Sequence, residues 1–398
     1  MEDTEKSLFP EETVLTGRPT EAGGSMAEGD GDLKDQVLKD QVSKEQVSEI
    51  LNNARQEMAR RIVGQGEMID GLLTALIAGG HILLEGVPGL AKTRAVKTLA
   101  EITGLVFKRI QFTPDLLPAD LTGTLVWEQA TSSFSVRRGP VFANVILADE
   151  INRSPAKVQS ALLEAMEERQ VTIGERSYPL PSPFFVLATQ NPIEHEGTYV
   201  LPEAELDRFL LKLLIRYPAQ EEELRILGYS APFESAENTG TDKLKSVLGP
   251  EELAILRSAA DSVFTDEQIC RYIVSVVAAS RPASPHSARS GAPGSPYSGS
   301  TGPSQIQGSE QRYGSNRPRE GLYRYIAFGA SPRATLALYR CARIKALFEG
   351  RSFVTPDDVK ATAFPVLRHR LVLSYEAEAD GLDPDTVINR ILALVPMP

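Results

Sequence analysis

The sequence predicts an α/β fold, an αβα sandwich with a parallel sheet, followed by an all-helical domain. Two observations carry that reading. Between His81 and Ile215, apolar runs of strand length alternate with longer runs of helical period, the pattern of a parallel sheet covered by helices. After Tyr217-Pro218 the strand-like runs stop, and helical segments follow one another towards the C-terminus.

Taken in order, the stretch to about residue 45 mixes Gly, Glu, Asp and Thr with few aromatics and ends in the near-repeat LKDQV LKDQV SKEQV. Such a composition predicts a disordered polar tail. Helical periodicity begins at Val47 and runs to about Arg61, IVGQ follows, and a second apolar helix through Ala78 leads into HILLE at His81 to Glu85. Further strands are expected at VFKRIQF from Val106, VILAD ending at Asp149, FFVLAT ending at Thr189 and LLKLLI ending at Ile215. Thr124 to Arg138 and Gln170 to Leu180 alternate about short turn-forming stretches and read as β-hairpin insertions.

The chain is thus expected to divide into a tail over 1–45, an αβα core over 46–218 with hairpins near 123–138 and 170–180, and a helical domain over 219–398. A Ser/Gly/Pro-rich linker over 281–321 interrupts the last of these. Where helices resume, Ser331 is placed to cap and Pro332 to occupy the first turn.

Bulk properties narrow the function. A formal charge of -11 over 398 residues repels polyanions and argues against a broad nucleic-acid footprint. The N-terminal residues lack a basic segment followed by an apolar run, and no stretch reaches the roughly 20 apolar residues of a membrane helix. A soluble, cytoplasmic protein is expected. Cys270 and Cys341 lack metal-ligand spacing and read as buried thiols.

Chemistry concentrates in two motifs. GVPGLAKT comprises Gly86, Val87, Pro88, Gly89, Leu90, Ala91, Lys92 and Thr93, directly after one strand and directly before a helix. In that context loop N–H groups and the helix N-terminus converge on phosphates, Lys92 adds a positive charge, and Thr93 offers a hydroxyl to Mg2+. The position before the Lys, usually Gly, is Ala91, which is tolerable if its φ stays negative. The second motif, NVILADE, ends a strand in Asp149 and Glu150. By itself an Asp-Glu pair also suits a solvated turn; with a phosphate loop upstream, Asp149 becomes the carboxylate for the magnesium shell and Glu150 the group that polarises the attacking water.

Beyond these motifs, RIVGQ, ILADEINRSPAKVQSALLEAMEERQVTI, LATQNPIEHEGTYVLPEAELDRF, GASPRA and VTPDDVKATAFPVLRHRL make the chain from about Val47 to the end resemble the MoxR family of AAA+ ATPases. The resemblance implies a P-loop core with an all-α lid, ATP and Mg2+ as ligands, and a homo-oligomeric, hexameric ring. It implies that Asn191 is the sensor-1 residue that positions the lytic water. Arg208 would be an arginine finger for an adjacent subunit's nucleotide, and Arg333 a sensor-2 arginine reaching from the lid to the phosphates. Read without the family, Asn191 before Pro is a turn former and Arg208 an ion-pair partner of Asp207 or Glu205.

Val63 and Gly64 resemble the segment that lies against the adenine; read without the family, an apolar contact there is equally consistent with ordinary core packing. Arg153 and Glu164 stay outside the expected site. The function implied is chaperone-like remodelling or maturation of partner proteins, beside a von Willebrand factor A domain protein. Two competitors are a nucleic-acid translocase, encouraged only by Arg137 and Arg138 at the base of the first hairpin, and a nucleotide-gated scaffold with little turnover.

Overall fold

The computed structural model describes residues 44–87, 89–192, 199–230, 244–282 and 321–398. The expected tail and linker, apart from Lys44, Glu45, Arg281, Pro282 and Gly321, lie outside the described residues, as does Pro88.

Five parallel strands form the centre: β1 (Ile82–Glu85), β2 (Phe107–Gln111), β5 (Val145–Asp149), β8 (Phe185–Gln190) and β9 (Leu211–Leu214), in the spatial order β2-β5-β8-β1-β9. β1, β5 and β8 are buried along nearly their whole length, which is why they read as continuous apolar runs rather than alternating ones. β2 is an edge strand and is mostly exposed: Lys108, Arg109 and Gln111 are open to solvent and only Ile110 is buried. The register aligns the carboxyl ends of strands far apart in sequence. Gln111 lies opposite Asp149, Ala148 opposite Ala188, Leu84 opposite Thr189, and Glu85 opposite Gln190.

Helices α1 (Lys44–Ala59), α2 (Gly66–Ala78), α3 (Lys92–Thr103) and α5 (Ala156–Glu168) pack around the sheet, with a short α4 (Pro118–Thr122) before the first hairpin. That hairpin pairs β3 (Gly123–Glu128) with β4 (Ser133–Arg138); a second pairs β6 (Gln170–Ile173) with β7 (Arg176–Pro179). Under the sheet, Phe112, Phe209, Leu162 and Val186 belong to one fully buried apolar cluster, each side chain stabilising by roughly 1.5–3 kcal/mol relative to exposure. Short α6 (Glu203–Leu206) precedes β9, and α7 (Gln220–Ser230) follows it.

The C-terminal half comprises α8 (Pro250–Ser262), α9 (Glu267–Ala279), α10 (Pro332–Phe348), α11 (Pro356–Leu367), α12 (Tyr375–Ala379) and α13 (Pro384–Leu394). Ser331 caps α10 by accepting from the Arg333 N–H, and Pro332 fills the first turn. This half is not all-helical. β10 (Ile326–Phe328) and β11 (Val372–Leu373) form an antiparallel ribbon that joins the approach to α10 to the exit from α11, and neither strand is long enough to display alternation in sequence. The lid is fastened to the core through the residues after α11. Arg370, almost wholly buried, donates to Asp207 Oδ1 at 2.8 Å and to the carbonyls of Phe209 and Leu210. His369 Nε2 lies 2.9 Å from the Phe209 carbonyl, and Arg368 pairs with Asp385 while reaching the Lys212 carbonyl. Cys341 is buried on α10, and burial pushes its thiol up to about 12; Cys270 is only partly buried, contrary to expectation, because its side of α9 faces outward.

His81 stands at the amino end of β1, where its Nδ1 accepts from the Val186 N–H at 3.0 Å and its Nε2 faces the Met166 carbonyl at 3.3 Å. Burial lowers its pKa to about 4. Because the folded value lies below the unfolded one, the stability this histidine contributes is present above about pH 6.5 and is lost as pH falls towards 4, up to about 3 kcal/mol. A His81→Gln variant, able to keep both hydrogen bonds, should therefore lose less stability between pH 7 and pH 4 than wild type in denaturant titrations. Equal losses would show that folding does not lower the pKa of this imidazole.

Candidate active site

Gly86 and Val87, and then Gly89 to Ala91, lie between the end of β1 and the start of α3. At Gly86 a Cβ would meet the Ile215 carbonyl oxygen at 2.8 Å, and Gly89 has φ +91; both positions require glycine. Ala91, however, adopts φ 55, so the expectation of a negative φ fails: the α3 N-terminus needs a left-handed residue, and alanine accepts it at about 1–2 kcal/mol. Ala91→Val should weaken ATP binding about tenfold, because a β-branched residue resists this conformation more strongly. Ala91→Gly should bind as wild type. An ATP titration of the two variants checks this; unchanged binding by Ala91→Val would remove the loop's conformation from the account.

No side chain caps the α3 N-terminus, so its first N–H groups are available to an anion. Lys92 Nζ donates to the Gly86 carbonyl at 2.5 Å, inside the loop. Burial lowers its pKa, while Asp149, Glu150 and Glu85 act in the opposite direction. Thr93 follows, half-buried on the same turn.

Asp149 and Glu150 face this loop from the end of β5. The Thr189 hydroxyl donates to Asp149 Oδ1 at 2.7 Å and accepts from the Glu150 N–H at 2.8 Å. Arg109 donates to Asp149 Oδ2 from both Nε and Nη2, at 3.0 and 2.6 Å. Glu150 has φ 56, a left-handed residue that turns its carboxylate back across the strand ends. Gln111 Nε2 donates to Glu150 Oε2 at 2.7 Å, and Arg153 Nε approaches the same oxygen at 3.3 Å. Arg153, left outside the expected site, therefore belongs beside it. Asn191, buried just beyond β8, completes this edge.

Val63 and Gly64 line a cavity of about 460 Å³ with Arg55, Ile62 and Arg225. Gln65, the next residue, donates to the Arg216 carbonyl at 2.9 Å, one residue past the Ile215 that packs on Gly86. That route brings the segment to the base of the loop.

Arg208 and Arg333 lie elsewhere. Leu210 N–H bonds to the carbonyl of His81, the residue before β1, so Arg208 sits at the amino edge of the sheet while the loop leaves its carboxyl edge. There Arg208 Nη1 pairs with Glu167 Oε2 at 2.7 Å and donates to the Leu163 carbonyl, rather than pairing with Asp207 or Glu205. Arg333 Nη2 pairs with the other oxygen of Glu167. The two arginines thus share one carboxylate, and Arg333 does not face this chain's own phosphate loop. Arg208 Nε, though buried, has no hydrogen-bond partner among the described residues. Glu164, one turn before Glu167 on α5, is exposed.

At the base of the first hairpin, Arg138 stacks over Phe142 and Tyr178, at 5.1 and 5.9 Å. Packing thus occupies one of the two cations that favoured nucleic acid.

The donor set at the carboxyl edge fits a nucleoside triphosphate with Mg2+. Glycine-walled N–H groups and Lys92 would take the phosphates; Thr93 and Asp149 would hold the ion, which needs few protein ligands because it keeps waters and phosphate oxygens. Among the described residues no group of three or more acidic, His or Cys side chains forms a protein-only metal cage.

Residues 81–211 match the ATPase family associated with various cellular activities (AAA), and residues 323–391 match the AAA lid domain. The chain is 46% identical over 351 residues to Chaperone MoxR1 of Mycobacterium tuberculosis, covering 87% of this chain and 82% of that one. It is 31% identical over 353 residues to Protein MoxR of Methylorubrum extorquens, covering 86% and 94%. The chain belongs to the MoxR family of AAA+ ATPases. A crystal structure of a Cytophaga hutchinsonii protein assigned as an ATPase shares the fold, with a TM-score of 0.76 at 41% identity, covering 92% of this chain and 99% of that one. In this MoxR-family chain the stretch matching the ATPase core precedes the stretch matching the lid. Sequence reading missed Arg109, Gln111, Thr189 and Glu167, whose roles depend on strand register and on packing at the amino edge.

Proposed function

We propose that this chain hydrolyses ATP with Mg2+ in sites shared between neighbouring copies of a ring, hexameric as the family resemblance implies, and that turnover drives remodelling of partner proteins. The observation that carries this reading is the separation of the machinery. The phosphate loop, Asp149, Glu150 and Asn191 stand at the carboxyl edge of the sheet, whereas Arg208 and Arg333 stand together at the amino edge on Glu167. A neighbouring copy turned head-to-tail would set its arginines against this chain's phosphates, and such heterologous contacts close into rings.

In this reading Lys92 and the α3 N–H groups hold the phosphates, and Mg2+, when bound, neutralises charge on them. Glu150 leaves Gln111 and Arg153 to polarise the attacking water, and Asn191 orients that water. Arg208 and Arg333 leave Glu167 to stabilise charge on the neighbour's phosphate. The lid governs when they do so. Asp207, adjacent to Arg208, accepts from the Ser331 hydroxyl at 2.7 Å and from Arg370, both lid residues. A change of lid angle therefore moves the backbone that carries Arg208.

The first hairpin offers a surface for the remodelled protein: Trp127 and Phe134 stack edge to face at 5.0 Å and are half or more exposed. The family resemblance makes a von Willebrand factor A domain protein the expected partner.

Magnesium-dependent ATP hydrolysis, measured against protein concentration alongside oligomer mass, tests the proposal. Activity per subunit should rise as the chain assembles. Constant activity per subunit through a range in which the protein is monomeric would refute shared sites.

A further inference from the structure

A second cavity, of about 320 Å³, opens where the core meets the lid and is lined by Arg169, Arg257, Arg340 and Arg343. Arg340 and Arg343 come from one face of α10, three residues apart. Arg169 ends α5 with φ 53, a conformation more suited to glycine. Arg257 reaches in from α8.

Capping explains part of this cluster. Arg257 donates to the Leu76 and Ile77 carbonyls at 3.0 and 3.2 Å, Arg169 to the Gly79 carbonyl at 3.3 Å, and Arg343 to the Asp261 and Val263 carbonyls. These are the last carbonyls of α2 and α8. Each helix end offers about half a negative charge, and the sole carboxylate lining the cavity, Asp261, lies 3.7 Å from Arg343. Against four guanidiniums, about two positive charges remain uncompensated.

Nearby Glu167 is committed to Arg208 and Arg333. Arg340 has no hydrogen bond or ion pair with any described residue, although it lines the cavity. The Nη2 atoms of Arg257 and Arg169, each already donating to a carbonyl, both come within 4 Å of the space a side chain at Gly79 would fill, so two guanidiniums border the same point of the cavity and each keeps further N–H groups beyond those carbonyl contacts. Phe184 and Ile344 supply an apolar wall. Clustered guanidiniums with free planar donors are matched to phosphate oxygens, and the volume is that of a small-ligand site.

We propose that this cavity binds a phosphate-bearing small molecule, its phosphate held by Arg340, Arg169 and Arg257 and its organic part lying against Phe184 and Ile344. The site is separate from the phosphate loop and does not depend on hydrolysis.

Inorganic pyrophosphate titrated calorimetrically into full-length Lys92→Ala protein, in which the phosphate loop is crippled, tests it. Saturable binding at one site per chain is expected, at least tenfold weaker when Arg340→Ala is added and unchanged when Arg208→Ala is added instead. Arg340 is exposed and has no hydrogen-bond or ion-pair partner among the described residues, so its removal should leave the fold intact, which thermal melts check. Absence of saturable binding, or affinity indifferent to Arg340→Ala, would overturn the proposal. So would a fall in oligomer mass with Arg340→Ala at unchanged pyrophosphate affinity, which would assign these arginines to a subunit interface.

Discussion

Glu150→Gln is expected to lower ATP turnover by about 10³-fold while leaving ATP binding intact, since positioned proton acceptors contribute about 10²–10⁴-fold. The side chain stands at the end of β5 beside Asp149, with a left-handed backbone that turns it across the strand ends. Its carboxylate is held by Gln111 at 2.7 Å and Arg153 at 3.3 Å. Glutamine keeps the size and one acceptor oxygen but cannot take a proton from water. In the proposed reading the phosphate contacts come from other residues, Lys92 and the start of α3, so nucleotide should still bind. Single-turnover hydrolysis together with equilibrium ATP binding separates the two effects. Comparable loss of both would make Glu150 a structural residue of the site instead.

Arg208→Ala should cost about 10³-fold or more in turnover, within the range for arginines that stabilise a transferring phosphate, and should spare ATP binding by the same chain. The guanidinium has two contacts at the amino edge, the Glu167 carboxylate and the Leu163 carbonyl. A partly exposed ion pair of this kind contributes at most about 1 kcal/mol to stability. The variant should therefore melt close to wild type while being nearly inactive, a combination that an ordinary surface ion pair would not produce. Steady-state hydrolysis at a concentration that sustains the oligomer, with a melting curve, reads both. Near-normal turnover would return Arg208 to a purely structural role.

Much of the fold was legible because the central strands announce themselves. HILLE, VILAD and FFVLAT are buried on both faces and so are almost uninterrupted apolar runs. The phosphate loop was legible because a motif, a strand and a helix coincide within a few residues. The ribbon of β10 and β11 was not, since three and two residues are too few to show a period.

In the site, Thr189 and Gln111 escaped notice because their closeness to Asp149 and Glu150 arises from the register of parallel strands some 40 residues apart, which no local pattern encodes. Arg153 was set aside although it lies only three residues beyond Glu150; whether such a spacing brings two side chains together depends on the turn between them, here a short 3-10 segment after a left-handed residue. The meeting of Arg208 and Arg333 on Glu167 joins core and lid across more than 100 residues of chain. Only the tertiary structure reveals that these arginines point away from the chain's own nucleotide site.

That separation is the centre of the account, and mixing two inactive variants tests it most directly. Glu150→Gln protein keeps Arg208, and Arg208→Ala protein keeps Glu150. If each site takes its acid from one chain and its arginine from the next, the mixed oligomer contains sites with both native residues, and ATP turnover should reappear on mixing at up to about a quarter of the wild-type rate for random assembly of a heterologous ring. If the mixture, shown to have exchanged subunits, stays as inactive as its components, then Arg208 does not act on a neighbour's nucleotide and the shared site is wrong.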